Sequence, residues 1–415
     1  MGDIRTLDDF GVAHHRVLLR ADLNVPLTDE QGEVTVADDT RIRAALETIE
    51  ELRGRHARIV LLSHLGRPHG REAELSMRPI AERLNELLGG GVSLAPGVVG
   101  DDITALTRHL RDGEVLLLEN VRYEPGETDN DPELALALAQ LADVFVNDAF
   151  GTAHRAHAST VGVARLLPSA AGRLMEREVR TLGSVVERPA RPLVAVLGGA
   201  KVADKIALVE RFLEIADSVL IGGAMSFPFL AEQGHALGAS PCSDADRELA
   251  RGALRRAAED GRDLQLPEDL LVAESASEDA HVRMTDRADV PDGLLGLDIG
   301  SRTAARYAAR IDAAKTVFWN GPMGVFECEP FAGGTRAVAQ AVARTNALSV
   351  IGGGETVAAV RRLGLTDEID HLSTGGGATL RLLQGLALPA VEALRVAGRS
   401  ADGRGGEPAS VTARG

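Results

Sequence analysis

Residues 193–205 read Leu-Val-Ala-Val-Leu-Gly-Gly-Ala-Lys-Val-Ala-Asp-Lys. Five apolar residues run straight into a pair of glycines, a run too short for an ordinary helix but of the right length for a strand buried on both faces. The same pattern recurs at 17–19, Arg58–Leu62, 115–118 and 144–146 in the first half of the chain, and at 219–221, 316–319 and 348–351 in the second. Longer Ala-, Leu-, Arg- and Glu-rich segments with helical periodicity lie between these runs. Strands that alternate with helices are the signature of βαβ units and a parallel sheet. The expected fold class is therefore α/β, with two doubly wound parallel-sheet (Rossmann-like) domains. A charged helix is expected over 175–187, and the prolines of Arg188-Pro189-Ala190-Arg191-Pro192 stop it. This helix and linker, 175–192, is read as the hinge between a first domain, 1–174, and a second that opens at Leu193.

Composition bounds what such a chain can do. At 415 residues and 45% hydrophobic it can bury full cores, and two domains suit that length. A formal net charge of -16 argues against nucleic acid or an anionic membrane surface as partner, since both are negative. Cys242 and Cys328 have neither disulfide-framework nor zinc-ligand spacing, which fits a reducing cytoplasm. Residues 1–11 lack the apolar run of a signal peptide, and no stretch is long enough to cross a bilayer, so a soluble, cytoplasmic protein is expected. Residues 397–415 carry almost no large apolar groups and read as a disordered tail.

In an open parallel sheet, ligands bind beyond the carboxyl ends of the strands. In the first half those ends carry Asp22 and Asn24, then His64 and Arg67, then Arg122, then Asn147 and Asp148 leading to His154, Arg155 and His157. Any one of these arginines reads equally well as a strand cap or an ion-pair partner. Their repetition at equivalent strand ends points instead to a small molecule with several negative charges, because guanidinium groups bind carboxylate and phosphate bidentately. Asp22 and Asn24 suit a hydroxyl on the same molecule. Among the histidines, only His64 is assigned a ligand contact.

The second half presents glycines at the corresponding places: Gly198-Gly199, Gly222-Gly223, Gly352-Gly353-Gly354 before Glu355 and Thr356, and Gly375-Gly376-Gly377. Glycine lets backbone approach phosphate closely, and helix amino ends favour anions, so this half is expected to hold a nucleotide. None of the loops has Walker A or GxGxxG spacing. If the first continues as a helix, Lys201 and Lys205 share one face and reach two phosphates together.

Taken together, these segments resemble the phosphoglycerate kinase family over residues 4–394. The likeness is carried by 20–26 (RADLNVP), 38–43 (DDTRIR), 63–68 (SHLGRP), 119–122 (ENVR), 198–205 (GGAKVADK), 296–300 (GLDIG), 319–327 (WNGPMGVFE) and 373–378 (STGGGA). The resemblance implies reversible phosphoryl transfer between ATP and the carboxylate of 3-phosphoglycerate, giving ADP and 1,3-bisphosphoglycerate, with Mg2+, in a monomer. It implies that Asp22, Asn24, Arg41, His64, Arg67, Arg122 and Arg155 hold the phosphoglycerate, with Arg41 beside the transferred group. Lys201 would meet that group from the other side, Lys205 would bind nucleotide phosphates, and Gly376 would belong to the catalytic set. Gly199, Gly223, Gly296, Asn320, Pro322, Val325 and Glu327 would line the nucleotide pocket, with Glu327 near the ribose. Gly353, Gly354, Glu355 and Thr356 would meet the nucleotide, Glu355 as a metal ligand. The family's hinge bending further implies a nucleotide domain over 193–377 and a segment, 378–396, that returns toward the first domain.

Four places depart from the family pattern. Glu355 stands where Asp is usual, Ala224 where many relatives have Gly, and Ser301 where Pro is common; 239–242 lacks the usual sequence. These lie in the nucleotide half. They raise the expectation of a divergent paralogue with altered nucleotide or metal preference, acting on another phosphorylated or phosphonylated carboxylate, or of a non-catalytic relative that only binds. The presence of Arg41 and Lys201 argues against the last of these.

Overall fold

The structure is a computed structural model and describes residues 4–30 and 33–402. It contains two compact units, one built from the chain up to Val179 together with the chain from Ala387 onward, the other from Arg180–Leu386.

The first unit is built on a six-stranded sheet in the order Val92–Leu94, Val115–Leu117, Arg58–Leu62, Arg16–Arg20, Val144–Asn147, Ser169–Ala171. All its pairings are parallel. Arg20 is level with Leu62 on one side and Asn147 on the other. The segments that follow these strands therefore start side by side. Strand order reverses between Arg16–Arg20 and Val144–Asn147, where a doubly wound sheet opens its crevice. Leu19, Leu61 and Val146 are fully buried against Ile42, Ile49 and Leu52 of the helix Thr40–Gly54. Each such side chain removed from water contributes roughly 1.5–3 kcal/mol, which fixes Arg41, on the first turn of that helix, relative to the sheet.

The second unit repeats the plan in the order Leu264–Gln265, Ser218–Ile221, Leu193–Leu197, Thr316–Asn320, Leu348–Gly352, His371–Leu372, again all parallel. Numbered along the chain, this is the 3-2-1-4-5-6 order of dinucleotide folds, with its switch point between Leu193–Leu197 and Thr316–Asn320. Leu197, Asn320 and Gly352 are in register, so three glycine-bearing loops leave the sheet from one line. A three-stranded antiparallel sheet, Arg283–Met284, Leu270–Ala273 and Leu295–Ile299, flanks it.

Several details differ from the sequence reading. The edge strands Val92–Leu94, Ser169–Ala171, Leu264–Gln265 and His371–Leu372 are additional. The linking helix starts two residues earlier than expected, spanning Arg173–Glu187; it begins in the first unit and ends in the second. Residues 378–386, read as part of the returning segment, stay with the second unit, and only the chain from Ala387 belongs to the first. The last helix runs Pro389–Asp402 and so continues past 397, where a tail was expected; residues 403–415 lie outside the described residues. Among the described residues, no helix is long and apolar enough to cross a membrane.

Candidate functional site

Each unit carries its own candidate site at the carboxyl ends of its strands. In the first, Arg41 donates to the Asn24 carbonyl at 2.8 Å and lies 3.5 Å from the Asp22 carboxylate. The Asn24 side-chain oxygen accepts from the Gly66 amide at 2.8 Å, and the Gly66 carbonyl accepts from Arg122. Asp22, Asn24, Arg41 and Arg122 are thus joined through the turn after the Arg58–Leu62 strand. Arg67, Arg122 and Arg155 line a cavity of about 570 Å³ together with His69, Glu127 and His157. The Arg122 guanidinium is pushed below its ordinary value first by burial and then by the charges of Arg155 and Arg20. Like charges held this close repel, and an anion among them relieves the repulsion.

His64 is buried at 4% exposure, and its pKa is driven well below the ordinary imidazole value by burial and then by Arg20, Arg122, Arg155 and Arg41. It therefore stays neutral at physiological pH. Three groups of this site were not singled out in the sequence. Arg20, the last residue of its strand, is fully buried; Glu127 is 1% exposed and Ser159 fully buried. Only their convergence in space marks them, since Glu127, in a turn, and Ser159, in the π-helical turn Ala158–Gly162, lie far from Arg20 in the chain.

The second site surrounds the switch point. A cavity of about 180 Å³ is lined by Gly199, Gly223, Gly296, Pro322, Val325, Glu327 and Glu355 of the predicted set, and also by Ala224, Phe227 and Asp298. Gly223 has a φ of 66°, and a Cβ there would sit 2.6 Å from the Gly199 amide nitrogen. Only glycine allows the two loops to approach so closely. Gly296 is held by its amide donating to Ser240 Oγ at 3.0 Å, so the unusual 239–242 stretch supports the cavity wall.

The lysine pair differs from expectation. Residues 198–205 form bends and turns, the helix begins only at Ile206, and Lys201 and Lys205 do not share a helical face. Lys201 is exposed, whereas Lys205 turns back to donate to the carbonyls of Gly198 and Asn320. The Asn320 carbonyl already accepts from the Gly198 amide at 2.9 Å, so the ammonium adds a second donor there and supplies the Gly198 carbonyl with a partner. Burial lowers the Lys205 amine to about 8 against the opposing pull of Glu355 and Asp204.

Asn320 is buried beneath Gly353. Thr356 is also buried, its hydroxyl accepting from the Gly321 amide at 2.6 Å, so it braces the loop and does not line the cavity. Gly353 precedes the helix Gly354–Arg362 with no side chain capping the amides, and Gly354 and Glu355 are exposed on its first turn. Gly376, with a φ of 50°, stands in the same relation to the helix Gly377–Leu383.

The family model for phosphoglycerate kinase matches residues 7–386. The chain belongs to the phosphoglycerate kinase family. It is 51% identical over 390 residues to the phosphoglycerate kinase of Moorella thermoacetica, covering 94% of this chain and 98% of that one. The Chloroflexus aurantiacus phosphoglycerate kinase is 50% identical over 397 residues, covering 94% and 98%. Among solved structures, phosphoglycerate kinase from Coxiella burnetii superposes with a TM-score of 0.87 at 40% identity, covering 95% of this chain and 99% of its own. The enzyme from Pyrococcus horikoshii OT3 gives 0.82 at 34%, covering 95% and 100%.

Such likeness to phosphoglycerate kinases along nearly the whole chain does not favour the divergent-paralogue reading. Of the unusual residues, Ser301 opens the helix Ser301–Asp312 and does not line the second-unit cavity, whereas Ala224 and Glu355 do.

Proposed function

We infer that the chain transfers a phosphoryl group reversibly between ATP and the carboxylate of 3-phosphoglycerate, with the acid held in the first unit and the nucleotide in the second. The observation that carries the assignment of the acid is the convergence of Arg67, Arg122 and Arg155 on one cavity, where burial and then the charges of its neighbours lower the Arg122 guanidinium. Arg67, Arg122 and Arg155 are read as holding phosphate or carboxylate, Asp22 and Asn24 the hydroxyl, and Arg41 the group being transferred. The acceptor carboxylate is ionised at neutral pH, so no general base is needed. The protein's task is to position the reactants and to neutralise charge that spreads over the phosphoryl oxygens. Arg41 from one unit and Lys201 and Lys205 from the other are assigned that role, with the amides around Gly376.

The nucleotide is read into the cavity bounded by Gly199, Gly223, Gly296 and Val325, with Glu327 toward the ribose. Its phosphates would lie toward Lys205 and the uncapped helix at Gly353. Among the described residues, no group of three or more His, Cys, Asp or Glu forms a metal cage. That donor set fits Mg2+ brought in on nucleotide phosphates and completed by one carboxylate, Glu355. The ion would supply further neutralisation of the phosphate oxygens. Because one ligand is read onto each unit, transfer requires them to be brought together, and the helix Arg173–Glu187 is the proposed hinge. We further propose a cytoplasmic monomer.

The test is a coupled assay with 3-phosphoglycerate, ATP and Mg2+, repeated with Arg122→Ala. Turnover in the parent, with KM for the acid raised and KM for ATP unchanged in the variant, is the expected result. No turnover in the parent sinks the assignment.

A further inference from the structure

Beneath the first-unit cavity, a line of buried polar side chains contains a negative charge where an anion is meant to bind. Glu127 cannot be there to attract the substrate, and its burial is costly unless it is paired. Burial alone would raise its pKa, yet hydrogen bonds from His157 and Ser159 and the charge of Arg20 outweigh burial and hold it below the usual carboxylate range.

The direction of each hydrogen bond along the line follows from what each group can give. An ionised carboxylate only accepts, so Ser159 Oγ donates to Glu127 Oε1 across 2.6 Å. With its single proton used, the Ser159 oxygen accepts from Arg20 Nε at 2.9 Å. A guanidinium has donors and no acceptor, so at the 3.2 Å contact between Arg20 Nη2 and His64 Nδ1 the ring nitrogen must accept. The one proton of the neutral ring is then on Nε2, which has no hydrogen-bond partner among the described residues.

We propose that Glu127, acting through Ser159 and Arg20, is a positioning residue that fixes His64 in the neutral Nε2–H tautomer, so that the ring offers the substrate a single donor. The idea rests on His64 contacting phosphoglycerate. Its sense is economy of orientation. The nitrogen facing Arg20 is obliged to accept, and the only proton is left for the ligand. The second carboxyl oxygen is held by the Ser159 amide at 3.0 Å, and His157 Nδ1 lies 3.4 Å from Glu127 Oε1, so the carboxylate cannot turn away from the serine without losing both.

The experiment is two-bond 1H–15N correlation NMR of the full-length protein labelled at histidine nitrogen, with His64→Ala used to assign the ring. We expect parent His64 to show an unprotonated Nδ1 and a protonated Nε2 from pH 6 to 8. Glu127→Gln removes the charge that anchors Ser159 and Arg20, so the guanidinium is freed to leave His64 Nδ1; Ser159→Ala cuts the line with less risk to folding. In both, the ring signals should move toward a mixture of tautomers, and KM for 3-phosphoglycerate should rise about tenfold, the worth of one hydrogen bond to a charged group, with KM for ATP unchanged. A parent ring protonated at Nδ1, or ring signals unaltered in the folded Ser159→Ala protein, overturns the proposal. If His64→Ala leaves KM for 3-phosphoglycerate unchanged, the substrate contact is wrong, and the NMR result says separately whether the line of hydrogen bonds exists.

Discussion

Replacing Gly223 by alanine should injure the second unit by two separable routes. The residue has a φ of 66°, and a side chain in the left-handed region costs about 1–2 kcal/mol. Its new methyl would also meet the Gly199 nitrogen at 2.6 Å and the carbonyl oxygens of Gly199 and Pro322, each at 2.8 Å. All three are backbone atoms that cannot swing aside, and overpacking of this kind adds roughly 1–3 kcal/mol. The structure supplies a control for the first route alone: Gly234 has a φ of 89°, and a methyl added there would have nothing within 4 Å. A total of about 3.5 kcal/mol for Gly223→Ala corresponds to a fall of roughly 7–14 °C in the melting of a unit this size, against about 3–6 °C for the roughly 1.5 kcal/mol of Gly234→Ala. Calorimetry on the two variants and the parent measures the difference directly. Because Gly223 lines the cavity proposed to hold the nucleotide, KM for ATP should also rise in its variant alone. Equal melting losses in the two variants would refute the argument from close approach.

Three further outcomes are expected. Lys205, lowered to about 8 by burial, loses its charge as pH rises through that value, so kcat/KM for ATP should decline above pH 8, and a profile flat to about pH 9.5 would contradict its phosphate role. Burial raises the Asp298 carboxyl from 3.8 to about 7, so the folded chain holds the extra proton between those values and stability of the second unit falls as pH climbs through that window. Asp298→Asn should abolish this slope in urea titrations at pH 5 and 8. Trp319 is the only tryptophan, is fully buried, and donates to the Gly321 carbonyl at 2.8 Å, beside Pro322 of the cavity proposed for the nucleotide. ATP should change its fluorescence and 3-phosphoglycerate alone should not; the reverse pattern would misplace the two ligands.

The central strands were legible because each is a run of apolar residues buried on both faces, as at Arg58–Leu62 and Leu193–Leu197. The edge strands were not. Val92–Leu94 and Leu264–Gln265 are two or three residues long, only partly buried, and paired on one side, so they carry no apolar run. The candidate site was legible where chemistry sits at a strand end, as with Asp22, His64, Arg122 and Gly199, whose places beyond the strands could be read from the chain. The roles of Arg20, Glu127 and Ser159 depend on which atoms meet across distant segments, and no spacing in the chain encodes that. The shared face imagined for Lys201 and Lys205 failed for a related reason. Helical periodicity can be written into a loop whose carbonyls are better satisfied by a lysine folding back on them.

Arg180–Leu386, the second unit, is inserted between two stretches of the first, the one before Arg180 and the one from Ala387. Synthesis therefore completes the inserted unit first. The first unit must wait on the ribosome without the helix Pro389–Asp402, its face toward Ala153 uncovered until the Ala390 amide arrives to donate to the Ala153 carbonyl at 3.2 Å. A nascent chain arrested before Ala387 should resist protease in its later portion while its earlier portion is still digested, the opposite of the usual order in which the amino-terminal part is secured first.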